Sequence, residues 1–313
     1  MNRKERIMKT IRGEETDRMP VCFWHHFGNL EPEETVKAHL KWLEDSGEDL
    51  LKMMCDEFFT YPMRGAKSPE EMLRLQPLGA KDGYVTGQVE RAAQINEALR
   101  GEVCTLYNAF SPYATLKHTL GDRESMELIR NHEDAALHLM EIICEDTCDM
   151  VEGILTQSGT MGMMLCLQGA EEGRFTDEEY DRWIRPTEEK VIACAQKYSE
   201  NNLLHMCGWD GIPDRLERWE HYETAMINWD VDVEKISLKE GKERFGKRVV
   251  LGGFNNRPGT ILPGGSKEEI QAFARELVRE TGKERLIIGA DCSLPKEIDP
   301  MRVRWVIEAL EDV

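Results

Sequence analysis

Short apolar segments recur eight times along the chain, and a polar or amphipathic stretch follows each one. Runs of this length, rich in branched apolar and aromatic residues, are typical of strands buried on both faces, as in parallel sheets. The pattern therefore predicts eight strands. They are PVCFW (20–24), DLLKMM (49–54), VCTLYNAF (103–110), TMGMMLCLQ (160–168), LLHMCG (203–208), MINWD (226–230), RVVLGGF (248–254) and RLIIGAD (285–291).

Several of the intervening segments carry helix signals. Ser266 and Glu269 form a capping-box pair at the start of one such segment. Asp299 stands as the cap of another, with Pro300 at its first helical position. The stretch after the second strand is the least regular and predicts a long loop. The predicted helices cover residues 31–47, 88–101, 176–202, 266–282 and 299–313.

Strands that alternate with helices indicate a parallel sheet. For a chain of 313 residues, the leading architecture is an α/β fold of the (β/α)8 TIM-barrel type. An open, doubly wound sheet is the alternative. A barrel has a consequence for function, because its active site lies at the C-terminal ends of the strands.

Two of those predicted strand ends carry good metal ligands. His205 and Cys207 end the fifth strand, and side chains two residues apart on a strand point to the same side. Cys292 follows the eighth strand, so a barrel would bring it to the same rim. One imidazole and two thiolates suit zinc and leave a fourth tetrahedral position for a substrate. The alternative is a structural histidine beside buried thiols, and the third ligand at a second strand end favours zinc.

Composition narrows the functional classes. The formal net charge of -19 argues against a nucleic-acid or anionic-membrane surface. The sequence has no apolar run near the roughly 20 residues of a membrane span, and the charged N-terminus lacks a signal-peptide core, so we expect a cytoplasmic protein. Nine cysteines without a disulfide-like framework are expected to be thiols, with Cys144 and Cys148 packing on a helix.

Several sequence blocks, in order, resemble the uroporphyrinogen decarboxylase superfamily. They are NRKERIMKTIRGEETDRMPV at the N-terminus, LYNAFSPYATLKHTLG after the third strand, then LLHMCG, VVLGGFN and GADCSLP. The resemblance covers the chain almost end to end. It implies a single (β/α)8 barrel domain over residues 1–313, with an N-terminal helical extension.

The resemblance also separates two chemistries. True decarboxylases of the superfamily carry an arginine-rich RQAGR segment after the first strand and a GHG turn near the last one, whereas this chain has WHHFGN at 24–29 and ADC at 290–292. The zinc-dependent corrinoid methyltransferases carry H-x-C and a distant cysteine, which His205, Cys207 and Cys292 match. The resemblance therefore implies zinc, and a methylcobalamin-type corrinoid on a separate protein that docks at the barrel mouth.

We accordingly expect a zinc-dependent methyltransferase that moves a methyl group from a corrinoid protein to a small thiol such as coenzyme M or homocysteine. A thiol with a pKa near 8.5 is mostly protonated at neutral pH, and coordination to zinc deprotonates it. One alternative is an O-demethylase-type component that passes a methyl group from an ether to the corrinoid. A second is a decarboxylase, and a third is a barrel without catalytic function. The oligomeric state is not predicted.

Further polar side chains near the predicted strand ends are candidates for ligand contacts. Asp230 is expected as a fourth zinc ligand or as a hydrogen-bond partner of a ligand, with a helix N-cap as the alternative. One of the neighbouring histidines 25 and 26 is expected to face the mouth. The predicted substrate-binding set is His25, His26, Asp56, Tyr107, Gln168 and Asn255, and Trp24, Phe58, Phe59, Glu171, Gly252 and Gly253 are further positions near the mouth.

Overall fold

The computed structural model describes residues 1–208 and 210–313, and within them eight parallel strands form one sheet in the order β1-β8-β7-β6-β5-β4-β3-β2. All eight predicted strands and the (β/α)8 architecture are confirmed. The strands are β1 (Val21–Cys22), β2 (Leu50–Met53), β3 (Cys104–Phe110), β4 (Gly162–Leu167), β5 (Leu203–Met206), β6 (Met226–Trp229), β7 (Val249–Phe254) and β8 (Leu286–Ala290).

The aspartate that precedes β2, Asp49, links β1 to β2 and so closes the barrel. The backbone N–H of Asp49 donates to the carbonyl of Val21, and the N–H of Val21 donates to the Asp49 carboxylate, both at 2.9 Å. Arg6 and Arg18 approach the same buried carboxylate at 2.6 and 2.7 Å. Among the described residues no regular ladder joins β1 to β2, and the hydrogen bonds and ion pairs of Asp49 connect the two strands instead.

The described part of the chain has fourteen α-helices, and none of them is long and apolar enough to cross a membrane. The helices are α1 (Arg3–Arg12), α2 (Pro32–Ser46), α3 (Pro69–Met72), α4 (Gly83–Leu99), α5 (Pro112–Leu120), α6 (Asp122–Asn131), α7 (Glu133–Gln157), α8 (Asp177–Trp183), α9 (Arg185–Tyr198), α10 (Val231–Glu234), α11 (Leu238–Arg244), α12 (Ile261–Gly264), α13 (Lys267–Thr281) and α14 (Met301–Leu310).

Two helix boundaries differ from the sequence prediction for physical reasons. The predicted helix at 176–202 is two helices, α8 and α9, because Pro186 has no N–H to continue the first one. The last helix begins at Met301 rather than Pro300, and the Met301 N–H bonds to the Asp299 side chain at 2.9 Å. Helix α1 forms the N-terminal extension and buries Ile7 in the barrel interior.

The barrel interior is filled by alternate residues of the strands, because successive side chains of a strand point to opposite faces. Cys104 and Leu106 of β3, for example, lie inside with Leu203 of β5, while the outward residues pack against the helices. Polar side chains replace apolar ones only toward the C-terminal ends of the strands. That end of the interior is where the candidate site lies.

Candidate metal centre at the barrel mouth

His205, Cys207 and Cys292 converge at the C-terminal end of the barrel. Their ligand atoms all lie within 4.8 Å of one another, and Cys292 Sγ is 3.6 Å from His205 Nε2. In a tetrahedral zinc site with the usual Zn–S and Zn–N bond lengths, a sulfur and a nitrogen ligand are about 3.6 Å apart. The donor set and its spacing therefore fit zinc. No other group of three His, Cys, Asp or Glu residues among those described comes as close.

Asn228 of β6 fixes the orientation of the histidine. Its amide nitrogen donates to the carbonyls of Leu251 at 2.8 Å and Ala290 at 3.1 Å, so its oxygen is turned toward His205 Nδ1. The imidazole therefore carries its proton on Nδ1, and Nε2 keeps its lone pair toward the two sulfurs. Metal-binding histidines are usually held in this way by a partner on the other ring nitrogen.

The two ligand thiols differ from the other buried thiols. A hydrogen bond from the Cys207 thiol lowers the pKa of Cys292 well below its usual range, although burial opposes the shift. The pKa of Cys207 is raised by the same sulfur–sulfur contact and by burial. By contrast, burial raises the pKa of Cys55 and that of Cys166 to about 12. The pair thus gives up its first proton readily, as a metal-binding pair requires.

A cavity of about 340 Å³ opens beside these three residues. One wall is aromatic, because His118 stacks on Phe59 at 5.5 Å between ring centroids and meets Phe110 edge-on at 4.7 Å. Polar groups line the rest. The lining residues are His26, Lys52, Met54, Phe59, Asn108, Phe110, Lys117, His118, Asp122, Cys166, Gln168, His205, Cys207, Cys292 and Ser293.

The structure brings two of the predicted substrate-binding residues to the cavity. Gln168 lies beside the candidate metal ligands, with its Nε2 3.6 Å from Cys207 Sγ and its Oε1 buried without a hydrogen-bond partner among the described residues. His26 lines the cavity and bonds through Nδ1 to Asp56 at 2.8 Å. Its neighbour His25 packs away from the cavity against Trp42 and Phe27, at 4.5 and 4.6 Å between ring centroids.

Asp56 supports the loop after β1 and lies outside the cavity lining. Its carboxylate accepts the backbone N–H groups of Phe27 at 2.6 Å and Gly28 at 2.8 Å, in addition to the His26 ring. Burial raises the pKa of Asp56, but the His26 bond and these two N–H groups outweigh it, so the pKa falls below its usual value. The carboxylate is therefore ionised and positions His26.

Three residues that were predicted to contact the substrate or the metal lie outside the cavity lining. Tyr107 points out of the barrel to α4, where its hydroxyl donates to Gln88 at 3.2 Å, because alternation places its neighbours on β3 inside. Asn255 lies in the loop after β7 and accepts the Arg257 N–H at 2.9 Å. The structure does not bring Asp230 to the ligand cluster. The chain turns into α10 directly after β6, and Asp230 caps that helix and pairs with Arg257 at 2.8 Å.

The remaining candidates divide in the same way. The Trp24 ring lies in the barrel interior, and its Nε1 donates to Ser293 at 3.1 Å, next to Cys292. Phe58 packs on Tyr84, and Glu171 pairs with Arg174 at 2.7 Å.

Gly252 and Gly253 of β7 have φ of +145° and +108°. A Cβ atom on Gly252 would meet Asn228 Nδ2 at 3.2 Å, and one on Gly253 would meet leucine side chains at 2.9 Å. They make room for the amide that orients the histidine. Cys144 is buried on α7 with its sulfur 3.6 Å from the carbonyl of Thr187, and the sulfur of Cys148 is 3.9 Å from that of Lys190.

Sequence analysis did not identify several residues of the site. Asn228, Asn108 and Lys52 are polar side chains inside predicted buried strands, and that contrast is the signal that marks them. His118 lies on α5 and reaches the cavity through a turn of the chain that strand analysis does not predict.

Comparisons with known proteins agree with this fold. Residues 59–313 match the sequence model of the family described as uroporphyrinogen decarboxylase (URO-D). A methyltransferase from Methanosarcina mazei superposes with a TM-score of 0.77 at 17% identity, over 100% of this chain and 98% of that one. A putative vitamin-B12-independent methionine synthase from Listeria monocytogenes gives a TM-score of 0.57 at 10% identity, over 90% and 86% of the two chains.

One curated relative, an uncharacterised 98.6 kDa protein of Orgyia pseudotsugata multicapsid polyhedrosis virus, is 24% identical over 173 residues. The match covers 54% of this chain and 18% of the viral protein, so it spans less than a fifth of that relative. The structural likenesses show a shared barrel, and the family match covers most of the chain. The protein belongs to the uroporphyrinogen decarboxylase family.

Proposed function

We propose that this protein is a zinc-dependent methyltransferase that moves a methyl group between a corrinoid protein and a small substrate, with transfer to a thiol as its main direction. The observation that carries the proposal is the convergence of one imidazole and two thiols at the cavity. His205, Cys207 and Cys292 would hold the ion. When bound, zinc supplies a Lewis acid that keeps a substrate thiol deprotonated at neutral pH.

The residues of this chain prepare the site for that role. Asn228 presents Nε2 of His205 to the metal position, and Gln168 donates an N–H toward Cys207 Sγ. Two cysteinates and a neutral imidazole would balance the charge of the divalent ion. A substrate thiolate added to such a site stays electron-rich and nucleophilic.

The methyl donor in this proposal is a corrinoid carried by a separate protein that docks over the barrel mouth. The cavity of about 340 Å³ suits a small thiol and is too small to enclose a corrinoid ring as well. The fold similarity to a Methanosarcina mazei methyltransferase supports methyl transfer as the reaction class. The cavity lining has lysines and no arginine, which disfavours the decarboxylase alternative.

The aromatic wall favours a second direction of transfer at the same site. Phe59, Phe110 and His118 present flat apolar faces that suit an aryl methyl ether. An O-demethylase-type reaction would use the same three metal ligands.

Metal analysis and a methyl-transfer assay test the proposal together. The protein purified with zinc should retain about one ion per chain, and with methylcobalamin and a small thiol it should form the methyl thioether. Cys292→Ala should lose the ion and the activity. Cys104→Ala is the matched control, because that thiol is buried in the same barrel interior and lies outside the cavity lining.

Zinc retention and full activity in Cys292→Ala would refute the site assignment. A zinc-loaded wild-type protein that transfers no methyl group from methylcobalamin or to cob(I)alamin, with thiols or aryl methyl ethers, would refute the reaction class.

A further inference from the structure

A lysine inside the barrel has no carboxylate partner among the residues that the structure describes. Lys52 of β2 is 4% exposed and lines the cavity. Its ammonium lies 4.6 Å from the centre of the Trp24 ring, a cation–π contact that compensates part of the lost hydration. Burying an ammonium without an anion is unfavourable, so the residue calls for a negative ligand group.

The other basic groups of the cavity are already engaged. Lys117 lies 3.7 Å from Glu171, and His26 bonds to Asp56 at 2.8 Å. Burial, with Lys117 nearby, lowers the pKa of His118 to about 4, so that ring is neutral at pH 7. Lys52 therefore provides a positive charge that faces the cavity without a carboxylate partner among the described residues, and its interaction with the nearby Cys292 thiol helps to lower the pKa of that thiol.

Two further buried polar atoms of the lining lack a hydrogen-bond partner within residues 1–208 and 210–313. They are Oε1 of Gln168 and Nε2 of His118. Buried polar groups are nearly always paired in folded proteins, so unpaired ones in a cavity mark positions where a ligand supplies the partner. The acidic member of the lining, Asp122, is half exposed and pairs through Oδ1 with Arg174 at 2.7 Å, so no buried carboxylate among the described lining residues faces a ligand ammonium group.

We propose that the substrate of this site carries an anionic group, a carboxylate or sulfonate, that pairs with Lys52, and carries no ammonium group beside it. The proposal rests on the proposed function for the position of the reacting sulfur at the ligand cluster. It goes further by selecting simple anionic thiols over neutral thiols and over zwitterionic amino acids. Lys52 acts as a specificity residue, and the aromatic wall contacts the carbon chain between the two ends.

Binding measurements on the zinc-loaded protein test this pairing with two thiols of similar length. We expect 3-mercaptopropanoate to bind at least about tenfold more tightly than 2-mercaptoethanol, as a charge-assisted hydrogen bond implies. Lys52→Gln should abolish that preference and leave the affinity for 2-mercaptoethanol within about twofold. Lys52→Met gives a second, apolar replacement, and melting temperatures confirm that each variant folds. Lys41→Gln, an exposed lysine of α2 paired with Asp45, should retain the preference.

Anion binding to the zinc-free protein tests the role of Lys52 separately from the proposed methyl transfer. In zinc-free protein, butanoate should bind, 2-aminobutanoate should bind at least about tenfold more weakly, and Lys52→Gln should lose butanoate binding. These results would stand even if the protein transferred no methyl group. Equal affinity of the wild-type protein for the two thiols would overturn the inference. So would Lys52 variants that lose zinc, or that weaken both thiols alike, because the lysine would then support the metal centre instead.

Discussion

Replacing Asn228 by alanine tests whether the amide orients the metal-binding histidine. The side chain is fully buried and makes three hydrogen bonds, one with the His205 ring and one each to the carbonyls of Leu251 and Ala290. The substitution removes all three and leaves the His205 Nδ1–H and two carbonyls unpaired inside the barrel. Both the stability of the metal-free protein and its zinc affinity should therefore fall.

The expected losses of stability and of zinc affinity can be estimated separately. Three buried hydrogen bonds at about 1–1.5 kcal/mol each give a loss of about 3–4 kcal/mol in the free energy of unfolding. Zinc affinity should fall about 10- to 100-fold, since loss of the partner that orients a ligand histidine has effects of this order. Asn228→Asp keeps an acceptor for His205 but loses the donor to the two carbonyls. It should recover much of the zinc affinity and little of the stability.

Urea unfolding of the metal-free protein and competition with a chromogenic zinc chelator measure the two quantities separately. Asn255→Ala is the control, because that asparagine bonds to the loop after β7 outside the cavity lining. It should leave zinc affinity unchanged. If Asn228→Ala bound zinc as tightly as the wild-type protein, the orientation argument would be refuted.

Three further predictions concern the barrel around the site. Burial raises the pKa of Glu188 to about 7, so its contribution to stability is complete well below pH 4.5 and is lost as the pH rises through 7. Glu188→Gln should remove about 2.5 kcal/mol of this pH dependence between pH 5 and 8, as measured by urea unfolding. Asp49→Ala leaves Arg18 without a carboxylate partner and Arg6 with Asp17 alone, and it should cost about 3–5 kcal/mol in chemical denaturation. Gly241→Ala places a methyl group against the buried ring of Trp229 and should lower the unfolding free energy by about 1–3 kcal/mol.

Matched variants separate these causes from general effects of substitution. Glu189→Gln and Asp45→Ala change carboxylates that are largely exposed, and each should alter stability by less than about 1 kcal/mol. Gly83→Ala adds a methyl group to a helix start where nothing lies within 4 Å, and it should be neutral or stabilising. An unchanged pH slope in Glu188→Gln, or losses in the controls as large as in the variants, would contradict the assigned causes.

The strands were predictable because each is a short apolar run that has to be buried on both faces. Because both faces of such a strand are buried, both alternating sets of side chains are apolar, and the sequence does not show which set points into the barrel. Tyr107 shows the consequence: it lies in a buried strand as predicted, yet it belongs to the outward set. The prediction that His205 and Cys207 lie together did not depend on knowing the inward face, because residues i and i+2 of a strand always share a face.

The Asp230 prediction was wrong about position for a related reason. Its spacing from Asn228 would place both inward on a continuing strand, but β6 ends one residue earlier and the backbone enters α10. The carboxylate then satisfies the first N–H groups of that helix, which the sequence offered as the alternative. Where a strand ends is decided by the loop that follows it, and the apolar pattern carries little information about that loop.

The position of Asn228 explains why the site needs the complete barrel. The proposed metal ligands come from the end of β5 and from the segment that follows β8, and β6 and β7 lie between them. One amide on β6 bonds to the histidine of β5 and to carbonyls of β7 and β8, so it ties all four strands directly beneath the ligand cluster. The separation of the sulfur and nitrogen ligands is therefore set by hydrogen bonds of the sheet before any metal binds. It follows that zinc should bind to a preformed site with little change in the unfolding cooperativity of the barrel, whereas Asn228→Ala, which removes every bond of this amide, should lower metal affinity and stability together.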